Sequence, residues 1–103
     1  MRIDLGDVAE FAEGAAVRAV VETRDVVVVR AGECVYALED RCSHEDFPLS
    51  AGEVDVELGE IECARHGAIF RLSDGVPLSL PATHPVATFA ATIEDGRVIV
   101  ELP

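Results

Sequence analysis

Two short stretches of the chain carry side chains able to bind a metal: Cys42-Ser43-His44 and Cys63-Ala64-Arg65-His66, with eighteen residues between His44 and Cys63. Together they use two of the three Cys and two of the three His. Thiolate and neutral imidazole are donors for zinc and iron alike. One such pair alone can be a core thiol near an unrelated imidazole, but two in one short chain favour ligation. The order of the donors narrows the chemistry. A Cys2His2 zinc finger usually takes both thiolates from one short element and both imidazoles from another. Here each stretch supplies one of each, which suits a binuclear iron–sulfur cluster with the thiolates on one iron and the imidazoles on the other. A structural Cys2His2 zinc module is the competing reading.

Ligands of this kind must be held by rigid elements, and the surrounding sequence supplies strands. Ile3–Leu5 reads as a short strand, followed by one helical turn started by the capping pattern Asp7-Val8-Ala9-Glu10 and closed by Gly14. Ala16–Glu22, Asp25–Arg30 and Glu33–Glu39 read as an antiparallel meander, with Thr23-Arg24 and Ala31-Gly32 as separators. Glu53–Leu58 alternates acid and aliphatic, which predicts a strand with carboxylates on one face. Gly59 ends it, and Glu60-Ile61-Glu62 resumes. The two ligand stretches therefore follow predicted strands, Val35–Glu39 and Glu60–Glu62. After Ala68–Leu72 comes a turn at Ser73-Asp74-Gly75, and Pro77, Pro81 and Pro85 predict a covering loop. Val86–Glu94 and Arg97–Leu102 close the chain around Asp95-Gly96, a strong hairpin signal. Cys34 alternates with Tyr36 and Leu38 and is expected to be a core thiol, while His84 is expected at the surface.

Composition sets the outer limits. At 103 residues, half of them hydrophobic, the chain suits a single domain, residues 1–103. Aromatics are 5% and Trp is absent, so Val and Ala must fill the interior. Twenty acidic residues against eight basic ones, all Arg, give a net charge of −12, which disfavours nucleic acid and anionic membranes. Arg18, Glu22, Arg24 and Arg30 interrupt the most apolar region, so no membrane span is expected. The first residues lack the pattern of a signal peptide, and a cytoplasmic location is expected.

On the double motif, and on the order of strands, loops and closing hairpin around it, the sequence resembles the Rieske-type 2Fe-2S ferredoxins, particularly the small soluble ones of bacterial ring-hydroxylating dioxygenase systems. The resemblance implies an all-β fold, a Rieske-like antiparallel β-sandwich, with a cluster-binding subdomain at about residues 40–83 made of two ligand loops and a Pro loop. It implies one 2Fe-2S cluster per chain, with Cys42 and Cys63 on one iron and His44 and His66 on the other. Gly67 would serve the tight turn after the second His, and Leu80-Pro81-Ala82 would screen the cluster together with Phe47, Pro48 and Leu49. The high-potential members brace their ligand loops with a disulfide; the matching positions here hold Phe47 and Arg65. Their hydroxyl donors to the cluster are replaced by Ala68 and Phe70. Fewer donors, with Glu45 and Asp46 next to His44, imply a potential on the order of −150 mV, near the lower end of the Rieske range. Exposed imidazole ligands imply a midpoint that falls with pH in the alkaline range.

The function implied is that of a one-electron carrier and not an enzyme. After His44 and His66 are assigned, His84 alone cannot build an oxygen-activating iron site, and no Gly-rich dinucleotide fingerprint is present. Expected partners are a flavin- or nicotinamide-linked reductase and a terminal oxygenase or other acceptor, met by a monomer. A small Rieske-like subunit of a larger reductase, such as a nitrite reductase, is the alternative within the same chemistry.

Overall fold

The computed structural model describes residues 1–42, 47–65, 67–80 and 82–103. Nine strands are found among them: β1 (Arg2–Asp7), β2 (Ala16–Val21), β3 (Arg24–Ala31), β4 (Cys34–Glu39), β5 (Glu53–Asp55), β6 (Glu60–Glu62), β7 (Ile69–Arg71), β8 (Thr88–Glu94) and β9 (Arg97–Glu101). Two single 3-10 turns, Val8–Glu10 and Leu49–Ala51, complete the regular structure. The chain is all-β, as the sequence implies. The strands form a six-stranded sheet in the order β1-β9-β8-β4-β3-β2 and a three-stranded sheet in the order β5-β6-β7, with every strand pairing antiparallel.

β4 and β8 share just two residue pairs, Ala37 with Phe89 and Leu38 with Thr88. The larger sheet folds over at that narrow seam, so that β1, β9 and β8 face β2, β3 and β4 across one core. That core holds Val26, Val28, Val35, Ala37, Val98 and Val100, with Phe11 and Leu102 closing its ends. A second core lies on the opposite face of β3 and β4. Val27, Val29 and Leu38 there pack against Leu49, Ile61, Phe70 and Leu72 from the smaller sheet and its loops. β3 is thus buried on both sides, which explains the unbroken run Val26–Val29: alternation disappears when neither face meets water.

Local chemistry sets the turns. Asp95 and Gly96 both have positive φ, 51° and 75°, the backbone a two-residue hairpin with matching twist requires. Between β2 and β3 the turn lies one residue earlier than the sequence pattern predicts. Val21 pairs with Arg24, leaving Glu22 and Thr23 as the loop, with Glu22 at φ 60°. The capping pattern at Asp7 forms: its Oδ1 accepts from the amide of Ala9 at 2.8 Å and starts a single 3-10 turn.

Two expectations are corrected. Glu53–Leu58 is a strand only as far as Asp55, because the Asp55 carboxylate accepts from the Leu58 amide at 3.0 Å and turns the chain, leaving Leu58 exposed. Cys34 is exposed instead of buried. It lies on the face of β4 that carries Tyr36 and Leu38, but at the strand's outer end, paired with Ala31 beside the Gly32 turn and beyond the reach of the smaller sheet.

Candidate metal centre

The first ligand stretch leaves the end of β4. The Cys42 amide donates to the Phe47 carbonyl at 2.9 Å, and the chain then enters the 3-10 turn at Leu49. The second leaves β6 in the same manner. The Cys63 amide donates to the Ala68 carbonyl at 2.7 Å, so each Cys closes its loop onto the residue five positions later. A further bond from the Gly67 amide to the Cys63 carbonyl, at 2.9 Å, tightens the second loop, and Gly67 takes φ 72°, a conformation suited to glycine. Both Cys42 and Cys63 are fully buried and belong to one apolar cluster with Leu49, Ile61, Ala68, Phe70 and Ala82.

Three contacts hold the loops to one another and to the fold. Arg65 of the second loop lies over the ring of Phe47 at the end of the first, 5.9 Å from its centroid. This contact brings the ends of the two loops together. Ser79 accepts from the Ile69 amide at 3.0 Å and lies 3.5 Å from the Gly67 carbonyl, tying the Pro segment to the second loop. Asp40, the one buried charged residue among those described, accepts from the Ser50 amide at 2.7 Å and from its hydroxyl at 2.6 Å. Ser79 and Asp40 were not singled out by sequence pattern, since their roles depend on partners ten residues away.

Of the four expected ligands, the structure brings Cys42 and Cys63 into one cluster; His44 and His66 lie outside the described residues, as do Glu45, Asp46 and Pro81. Among the described residues no group of three or more metal-binding side chains is found. The shielding residues behave differently from one another. Leu49 and Ala82 are buried in the cluster that contains the thiols, Phe47 and Pro48 are half-buried, and Leu80 is 77% exposed. His84 is exposed, as expected, with the Thr83 hydroxyl 3.0 Å from its Nδ1.

Outside the ligand loops, one group of acids gathers on the smaller sheet. Glu53 faces Glu62 and Asp55 faces Glu60 directly across β5 and β6, and with Glu57 they line a groove beside Ile69. Several acids elsewhere are paired with Arg. The Arg97 guanidinium donates to Asp4 at 2.8 Å, and with the Gly6 amide it holds that carboxyl below its ordinary range. Arg2 donates to Glu94 at 2.6 Å, and with the Thr92 hydroxyl it does the same there.

The donor set fits an iron–sulfur centre: two dry thiols, each opening a loop of the same length and closure, with one His in each loop sequence. The family model for the Rieske [2Fe-2S] domain matches residues 1–90. The chain belongs to the Rieske [2Fe-2S] domain family. Its cofactor is a Rieske-type 2Fe-2S cluster, and its role is that of an electron carrier, which sets aside the zinc module. The 3-phenylpropionate/cinnamic acid dioxygenase ferredoxin subunit of Escherichia coli (strain K12) is 37% identical over 103 residues, covering 99% of this Rieske chain and 94% of that protein. Among solved structures, the ferredoxin of carbazole 1,9a-dioxygenase from Nocardioides aromaticivorans IC177 superposes with a TM-score of 0.96 at 28% identity, over 100% of this chain and 99% of that one. A ferredoxin in a complex of reduced oxygenase and oxidised ferredoxin in carbazole 1,9a-dioxygenase gives 0.87 at 31% identity, over 99% and 97%. Among the described residues of this Rieske protein, no helix is long and apolar enough to cross a membrane.

Proposed function

We propose that this chain is the ferredoxin component of a ring-hydroxylating dioxygenase system, receiving electrons from a flavin- or nicotinamide-linked reductase and delivering them to a terminal oxygenase. The observation that carries the reading is the pair of buried thiols, Cys42 and Cys63, in two loops closed alike and packed in one apolar cluster. In this reading Cys42 and Cys63 bind one iron and His44 and His66 the other, within a cluster-binding unit of about residues 40–83. When bound, the cluster takes up and returns one electron. The protein's part is to keep the thiolates dry and the loops still. Leu49, Ala68, Phe70 and Ala82 exclude water from the sulfur side, and the Arg65–Phe47 contact and the Ser79 bonds limit movement of the loops.

Partner docking follows from the same surface. Leu80 is exposed just beyond Ser79, beside the second loop, and the acidic groove begins at Glu62, the residue before Cys63. A partner with an apolar spot bordered by basic side chains would meet both, with long-range attraction helping encounter. The carrier is a cytoplasmic monomer that meets its two partners in turn.

Visible and electron paramagnetic resonance spectra of the purified protein, with an iron and sulfide count, test the ligand set. About two irons and two sulfides per chain and the low average g-value of a mixed Cys/His cluster are expected. His66→Cys should alter that spectrum; an unaltered one would remove His66 from the ligands. Mixing the reduced protein with a terminal oxygenase in single turnover tests the partner: electron delivery is expected, and its absence alongside copurification with a larger reductase would favour a fixed reductase subunit.

A further inference from the structure

The first ligand loop is closed twice, and the outer closure is a buried carboxylate. Asp40 lies two residues before Cys42, and its side chain is wholly shielded from solvent. Its Oδ1 accepts the Ser50 amide at 2.7 Å, and its Oδ2 accepts the Ser50 hydroxyl at 2.6 Å. Ser50 belongs to the 3-10 turn that follows the loop, so one side chain joins the strand end before Cys42 to the turn after Phe47. The Asp40 amide donates to the Asp25 carbonyl at 2.9 Å, anchoring the same residue to β3. Arg18 of β2 places one guanidinium nitrogen 3.6 Å from the Asp40 carboxylate and the other 2.8 Å from Asp25. The buried negative charge is therefore hydrogen-bonded and has a cation facing it, the conditions under which burial is tolerated.

We propose that Asp40 is a positioning residue for Cys42, pinning both ends of the first ligand loop through Ser50 so that the loop holds its cluster-binding shape, with Arg18 offsetting the carboxylate's charge beside the centre. The second loop is held otherwise, by Ser79 and by packing, so loss of the Asp40 clamp loosens one side of the site and leaves the other. The inference rests on the ligand assignment of Cys42 proposed above.

The test compares cluster-loaded wild type with Asp40→Ala, Asp40→Asn, Ser50→Ala and, as a stability control in the opposite core, Val98→Ala. Iron release to a chelator is timed at a fixed interval below each variant's own melting temperature, and the resonance spectrum is recorded. Removing an outer partner of a metal ligand typically costs about 10- to 100-fold in metal retention. Asp40→Ala is expected to release iron at least about tenfold faster than Val98→Ala and to show shifted or broadened g-values, with Ser50→Ala between them. Asp40→Asn is expected to stay near wild type, because a Ser hydroxyl can accept as well as donate. Release by Asp40→Ala and Ser50→Ala at the rate of Val98→Ala, with the wild-type spectrum, overturns the inference. If Asp40→Ala does not fold, Ser50→Ala against Val98→Ala decides alone. A wild type without a mixed Cys/His spectrum overturns the ligand assignment itself, a result distinct from an intact spectrum that the variants leave unchanged.

Discussion

A Cβ placed on Gly52 would lie 1.7 Å from the carbonyl oxygen of Glu62. Gly52 closes the turn after the first ligand loop, and Glu62 is the last residue before Cys63, so the backbones of the two ligand-bearing segments touch at this point. Gly52→Ala must push them apart, since the obstacle is main chain and cannot rotate away. A cost of about 1–3 kcal/mol or more is expected, with a lowered melting temperature and reduced iron content. Gly59→Ala is the comparison: nothing lies within 4 Å of its Cβ, and only the strain of φ 68° applies. Equal iron content in the two variants would show that contact at Gly52 does not set the loop spacing.

Ala68 and Phe70 are fully buried in the cluster that contains both thiols, and neither offers a hydroxyl. Ala68→Ser supplies a donor there. One added hydrogen bond worth about 1 kcal/mol to the reduced state raises a one-electron midpoint by about 40 mV. Redox titration of this variant against wild type should show a rise. An unchanged or lower midpoint would mean that the serine hydroxyl does not reach the sulfurs.

The acid dependence of stability has a definite sign at the β1–β9 edge. Asp4 is held below its ordinary pKa by the hydrogen bond from Arg97 and by the Gly6 amide. A lowered folded-state pKa contributes stability that is present above the unfolded value and is lost as pH falls through the folded one. The loss therefore falls below about pH 4, the ordinary carboxyl range. Urea unfolding at pH 5 and pH 3 should show a larger drop for wild type than for Arg97→Gln, with parallel drops counting against the pairing. The pair is exposed, so the difference is small and shrinks with salt.

Glu53 and Glu62 face each other across β5 and β6, a like-charge pair that disfavours the smaller sheet. Glu53→Lys should stabilise the protein by roughly 0.2–1 kcal/mol, the range for a cross-strand pair made favourable. If the groove also steers partners, the same change slows reduction by the reductase at low salt and has less effect at high salt. Stabilisation with unaltered kinetics would leave these acids a role in solubility alone.

How far the sequence reaches can be judged from particular residues. Asp95-Gly96 was legible because a two-residue hairpin makes a local demand on φ that these residues meet. The meander from Ala16 to Glu39 was legible from strand chemistry, apart from a one-residue slip at Glu22, where a non-glycine residue takes positive φ. The residue types in the two ligand stretches pointed to their chemistry without any fold. What escaped depends on distant partners. The exposure of Cys34 turns on where the smaller sheet stops covering β4. Asp40 looks like an ordinary turn acid until Ser50 returns beneath it. In Glu53–Leu58 the alternation continues past Asp55, but a side chain capping the Leu58 amide competes with the ladder and prevails.

β3 forms one wall of each core, with Val26 and Val28 on one side and Val27 and Val29 on the other. Melting the ligand-bearing half would uncover one face of a strand that the other half needs, so the two halves cannot open independently at low cost. The domain should unfold as one cooperative unit, and the amides of Val26–Val29 should exchange with solvent only through global opening. A carrier built this way resists local breathing around its redox centre, because the centre's support is the spine of the whole protein.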